Sequence, residues 1–129
     1  MATGLPAVTG DILTAATFNG LITFTVGTAN TADYTAVLAD QYQVLQIMNK
    51  ATAVAFKIPT DASVAFPVGT ALTVLSIGAG AVTISAVTPG TTTVLSAGAV
   101  AASPTLAQYK SAVCIKTAAN TWYVVGAIG

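Results

Sequence analysis

From Leu21 onward, apolar side chains recur at every second position in short runs that stop at Gly, Pro, Asn or Asp. Ile22, Phe24 and Val26 alternate with Thr23 and Thr25. Val54, Phe56 and Ile58 alternate with Ala55 and Lys57, and Val82 and Ile84 with Thr83 and Ser85. A period of two sends successive side chains to opposite faces of an extended chain, so each run predicts a strand with one apolar face. The enrichment in Val and Thr fits, because β-branched side chains suit strands. About nine short strands separated by turn signals predict an all-β fold, a β-sandwich of jelly-roll-like form.

Four further runs are apolar at consecutive positions: Val44 to Met48, Leu72 to Ile77, Val113 to Ile115, and Trp122 to Val125. A strand of this kind is covered on both faces, either by the second layer of its own domain or by a partner subunit. Composition favours the partner. Of 129 residues, 54% are hydrophobic and only 6% charged, and the chain has no Arg, Glu or His. Ordinary globular domains carry roughly 25% charged residues. The charges are Asp11, Asp33, Asp40 and Asp61 against Lys50, Lys57, Lys110 and Lys116, which sum to zero. A surface so poor in charge associates readily, so the expectation is a homo-oligomer.

The same inventory bears on other classes. Four scattered lysines without one arginine argue against a nucleic-acid partner, which needs clustered positive charge to displace phosphate counterions. A membrane-spanning helix needs about 20 nearly uninterrupted apolar residues, and Thr, Ser, Gly or Pro breaks every candidate stretch. The strands read as too short for a transmembrane barrel, and no charged segment of a signal peptide precedes Lys50. No membrane role is expected.

Residues 1–20 have a different texture. Gly4, Pro6, Gly10 and Gly20 separate short apolar steps, and Thr14 can cap a brief helix from Ala15 to Asn19 that stops at Gly20. This predicts two parts: an N-terminal arm over 1–20 and a β-sandwich domain over 21–129. Within the second part, Asn49-Lys50-Ala51-Thr52 is expected to close a hairpin. Phe66-Pro67-Val68-Gly69 has the residues of a type I turn. Thr88-Pro89-Gly90-Thr91 has those of a type II turn with Gly90 at positive φ. Ala118-Ala119-Asn120 is expected to link the last two strands, and Ala97 to Thr105 reads as a longer loop.

Catalytic chemistry finds little to stand on. Without histidine there is no Ser-His-Asp or Cys-His pair and no imidazole metal ligand. Asp33 and Asp40 flank a predicted strand, and nothing pairs them as acid and base. Lys110 and Ser111 are adjacent, so on a strand they point to opposite faces. No loop gathers carboxylates for a cation. The chain is therefore expected not to be an enzyme and to hold no cofactor or metal. Cys114, among Val113 and Ile115, reads as a small buried hydrophobe. Gly78-Ala79-Gly80 lacks the third glycine and the helix of a dinucleotide fingerprint and reads as a tight turn between strands. Trp122 and Tyr123 can either pack a core or stack on a sugar; burial of Trp122 is the expectation. The Thr23 and Thr25 pair belongs to no fixed repeat visible along the chain.

The stretch Ala32-Asp33-Tyr34-Thr35-Ala36-Val37-Leu38, then Asp40, then Val44 to Asn49 and Phe56-Lys57-Ile58-Pro59 resembles a β module of tailed-bacteriophage virion proteins. Phe66-Pro67-Val68-Gly69-Thr70, Val74, Gly78-Ala79-Gly80, Val82-Thr83-Ile84 and the closing Trp122-Tyr123-Val124-Val125-Gly126 continue the likeness, which covers about residues 32–126. The resemblance implies a capsid decoration (cement) protein or a tail-fibre module, usually trimeric. The chain shows no coiled-coil heptad, collagen-like repeat or receptor-binding extension. The leading expectation is thus a cement protein, assembled in the host cytoplasm, that sits on the outer capsid as a homotrimer and stabilises the shell. Its partners are then itself and the major capsid protein, with Leu5, Pro6, Val8 and Phe18 of the arm as contact residues. A tail-fibre or tail-adaptor component is the alternative within the same virus type. A carbohydrate-binding module using Trp122 or Tyr123 is the alternative from another class.

Overall fold

The computed structural model describes residues 24–96, 98 and 103–128. The expected arm, its helix, Leu5, Pro6, Val8 and Phe18, and the start of the first strand lie outside the described residues. What is described is a β-sandwich of ten short strands. They are β1 (Thr25–Val26), β2 (Tyr34–Thr35), β3 (Val44–Met48), β4 (Val54–Ile58), β5 (Ala71–Ser76), β6 (Val82–Ala86), β7 (Thr93–Leu95), β8 (Thr105–Leu106), β9 (Ser111–Ala118) and β10 (Thr121–Gly126). One sheet has six strands in the order β1-β3-β5-β9-β10-β7, the other four in the order β2-β4-β6-β8.

The winding explains why so many short runs are needed. From β1 to β6 the chain alternates between the sheets, and β1, β3 and β5 lie parallel to one another, as do β2, β4 and β6. The first half of the domain is thus a flattened coil, two strands per winding. Antiparallel strands close it: β9 pairs with β5, β10 with β9, and β8 with β6, while β7 runs parallel to β10. The sandwich expected from the sequence is there, but its first half lacks the antiparallel Greek keys that define a jelly roll.

Asn49-Lys50-Ala51-Thr52 does not close a hairpin, because β3 and β4 belong to different sheets. It is a crossover, and it stacks on the next one. Leu45 lies opposite Thr73 and Val54 opposite Val82, the same separation of twenty-eight residues in both sheets. A fixed register therefore joins two successive windings, although no repeat stands out in the sequence. Between the paired strands, Gly80 N–H donates to the Lys50 carbonyl at 2.9 Å. A Cβ on Gly78 would sit 2.4 Å from the backbone N and O of Lys50, and one on Gly80 1.9 Å from the Thr52 carbonyl oxygen. The two glycines are thus demanded by backbone-to-backbone contact between windings.

Two other turns differ in detail. Thr70 N–H donates to the Pro67 carbonyl, and Gly69 has φ +96°, so the turn is Pro67 to Thr70 with Gly at its third position. The turn Thr88 to Thr91 closes as expected, but Gly90 is not among the positive-φ residues. Ala119 and Asn120 join β9 to β10, with Asn120 at φ +47°. Thr105, expected in a loop, begins β8.

The inward side chains follow the period. Val54, Phe56 and Ile58 of β4 and Val82 and Ile84 of β6 face Met48, Leu72, Val74, Cys114, Trp122 and Val124 of the six-stranded sheet, all nearly inaccessible. Trp122 is fully buried, its ring set edge-on to Phe66 at 5.5 Å. Burial pushes the Cys114 thiol up to about 12, so it stays neutral and inert at physiological pH.

Two polar clusters pin this core. Buried Asp40 accepts from Tyr34 Oη at 2.6 Å, from Gln46 Nε2 at 2.8 Å and from Val37 N–H at 3.0 Å. Asn30 Nδ2 donates to Gln46 Oε1 at 3.0 Å. The cluster ties the first winding to β3. Burial, the hydrogen bond to Asp40 and its negative charge together push the Tyr34 hydroxyl well above its ordinary pKa. In the second cluster, Lys116 of β9 turns inward. Its Nζ donates to Asp61 Oδ1 at 2.8 Å and to the Phe66 carbonyl at 2.6 Å.

Candidate functional site

The two outer faces of the sandwich differ in chemistry. On the four-stranded sheet the outward positions are Thr35, Ala55, Lys57, Thr83, Ser85 and Thr105, alternating with the buried ones. Lys57 and Asp33 form an ion pair at 3.7 Å across this face, and Asp33 also accepts from the Ala55 N–H at 2.9 Å. It is an ordinary solvated surface.

The six-stranded sheet presents the opposite. Strand register aligns its outward side chains into rows. One row runs Val26, Leu45, Thr73, Val113, Val125 across β1, β3, β5, β9 and β10. A second runs Ala71, Ile115, Tyr123, Leu95 across β5, β9, β10 and β7. Ile47 lies beside Leu75 in a third row, on the other side of the first. None of these side chains is charged. Val26 is 63% exposed, Val125 50% and Tyr123 44%, while Leu45, Ile47, Leu75, Val113, Ile115 and Leu95 are partly exposed. The runs that the sequence marks as apolar on both faces form β3, β5, β9 and β10, and these are neighbours in the sheet. Their inward residues fill the core. Their outward residues merge into one apolar surface.

The lysines and aspartates among the described residues lie elsewhere. Asp33 and Lys57 sit on the other sheet, Asp40 and Lys116 are buried, Lys50 and Asp61 are in turns, and Lys110 precedes β9. Burial raises the Asp61 carboxyl, but hydrogen bonds from Lys116 and the Asn120 N–H, with the Lys116 charge, outweigh it. The group is held below the usual carboxylate range. Among the described residues no three His, Cys, Asp or Glu side chains gather as metal ligands, and no helix is long and apolar enough to cross a membrane.

Of the two aromatic candidates for a sugar platform, Trp122 is removed by its burial. Tyr123 is accessible, but its neighbours across the strands are Ile115 and Leu95, which offer no hydrogen bonds to hydroxyl groups. An uncharged groove of about 420 Å³ lies beside β1, lined by Phe24, Gln41, Gln43, Pro67, Val68, Thr73 and their neighbours. The sequence offered no sign of it, because its walls come from three separate segments that only the winding brings together. The outer row was half-legible: the two-faced runs were visible, but their adjacency depends on strand order. No family model matches the chain, and neither the curated proteins nor the solved structures contain a match to it.

Proposed function

We propose that the chain is a virion structural protein of a tailed bacteriophage: a capsid decoration (cement) protein that binds the outer capsid as a homotrimer and stabilises the shell. The observation that carries this reading is the uncharged outer face of the six-stranded sheet. A lone small domain in water gains nothing from such a face, whereas a subunit of an assembly buries it. The likeness of residues 32–126 to a phage virion module supplies the kind of assembly. The major capsid protein is then the second partner, and the polar face of the four-stranded sheet is left toward solvent.

A tail-fibre or tail-adaptor role shares the same chemistry and differs in number. Quantifying the chain against the major capsid protein in purified virions separates the two. Hundreds of copies per particle support the cement role, and a handful would transfer the protein to the tail. Adding the purified chain to particles that lack it should raise the temperature at which the shell releases its genome, and no change would remove the stabilising role.

A further inference from the structure

We infer that copies of this chain pack on one another through the outer face of the six-stranded sheet, with β9 and β10 of one copy seated on β3 and β5 of the next. This rests on the oligomeric reading proposed above and names the surface and the occupant.

Charge is the first argument. Val26, Leu45, Ile47, Leu75, Val113, Ile115, Tyr123 and Val125 lie on a face without a formal charge, so two identical faces meet with no like charges opposed and no ion left unpaired. Relief is the second. The half built by β9 and β10 is raised by Ile115, Tyr123 and Val125, while β5 offers the small Ala71 and Thr73 between that half and Leu45 and Ile47 of β3. A tyrosine ring from one copy fits over the small side chains of another, so the surface is complementary to itself when its halves are offset. An offset contact of this kind is heterologous, and it closes into a ring when the rotation between copies permits. A trimer is such a ring.

Extent is the third. Six strands at about 4.8 Å spacing and six residues at about 3.3 Å rise give a face of roughly 24 by 20 Å. An offset contact covers half of this face on each of two copies, roughly 500 Å² in all, and a closed ring of three removes about 1,400 Å² from water, within the range of specific interfaces.

The test uses the full-length purified chain and light scattering at micromolar concentration. The wild type should run as a multiple of 12.8 kDa. Val113→Lys and Val125→Lys each place a charge in the central row and should shift the chain to monomer, or weaken association at least about tenfold, while circular dichroism retains the β spectrum. Thr83→Lys, on the outer face of the four-stranded sheet, should leave assembly unchanged. Should the lysine variants fail to fold, Tyr123→Ala removes an exposed ring with little demand on the core and should still weaken association. An oligomer indifferent to these substitutions overturns the interface and leaves the oligomeric reading standing; a monomeric wild type overturns both. Lower melting temperatures with the assembly intact would mean that another segment of the same chain covers the face, and they also overturn the inference.

Discussion

Lys116 points inward from β9, in a sheet whose other inward side chains are mostly apolar, and is only 4% exposed. It is tolerated because Asp61 and the Phe66 carbonyl accept its hydrogen bonds. An inward lysine next to a run read as apolar is invisible to a two-letter pattern, so the sequence counted Lys116 only among four scattered lysines. Asp61→Asn leaves the ammonium buried without its counter-charge. The variant should lose about 3 kcal/mol at neutral pH, the low end for breaking a buried pair because the Asp61 side chain is 27% exposed. The sign with pH follows from the lowered Asp61 pKa. Its contribution is present above the unfolded value of about 4 and disappears as pH falls through the folded value. Urea titrations from pH 7 down to pH 2 should show the gap between wild type and Asp61→Asn closing in acid. A constant gap would mean that the carboxylate charge is not what stabilises the pair. Cys114 and Trp122 were legible for the opposite reason: each sits among apolar neighbours at inward positions of strands that the period identifies.

Strands could be read because a period of two needs only local information. β3 to β6, β9 and β10 fall where alternation or apolar runs place them. A two-residue strand such as β8 is too short to carry a period. Strand partners were not legible at all. A turn such as Asn49 to Thr52 has the residues of a hairpin, and whether it folds back in one sheet or crosses to the other depends on contacts with a winding twenty-eight residues away. The trace of that stacking is the pair Gly78 and Gly80, sequence features that a simple tight turn does not require. Gly80→Ala should therefore be severe, because its Cβ meets the backbone of Thr52 and not a yielding side chain. A loss of about 3 kcal/mol, the upper end for overpacking, is expected in chemical denaturation. Gly90→Ala is the control: its Cβ would meet open space, and the turn should hold within about 0.5 kcal/mol. Equal tolerance at both positions would mean that the two crossovers are not in contact in solution.

At the scale of the whole molecule, the described core spans nearly the whole β domain. Its buried hydrophobic residues begin at Ala36 and run to Val124, and the first described strand, Thr25–Val26, has exposed side chains. Residues 1–20 carry Gly, Pro and short apolar steps with no strand period. A segment of that composition gives up conformational entropy when it docks and recovers it only from a partner surface. Deleting residues 2–20 should then separate folding from attachment. The truncated chain should melt cooperatively within a few degrees of the full-length protein, because every described buried contact survives. Its recovery on capsids stripped of the native protein should fall at least about tenfold if Leu5, Pro6, Val8 and Phe18 contribute to attachment. Loss of cooperative melting would make the arm part of the core. Full-strength capsid binding by a folded truncation would move attachment onto the β domain, where the uncharged groove beside Phe24, Gln41 and Gln43 becomes the first surface to substitute.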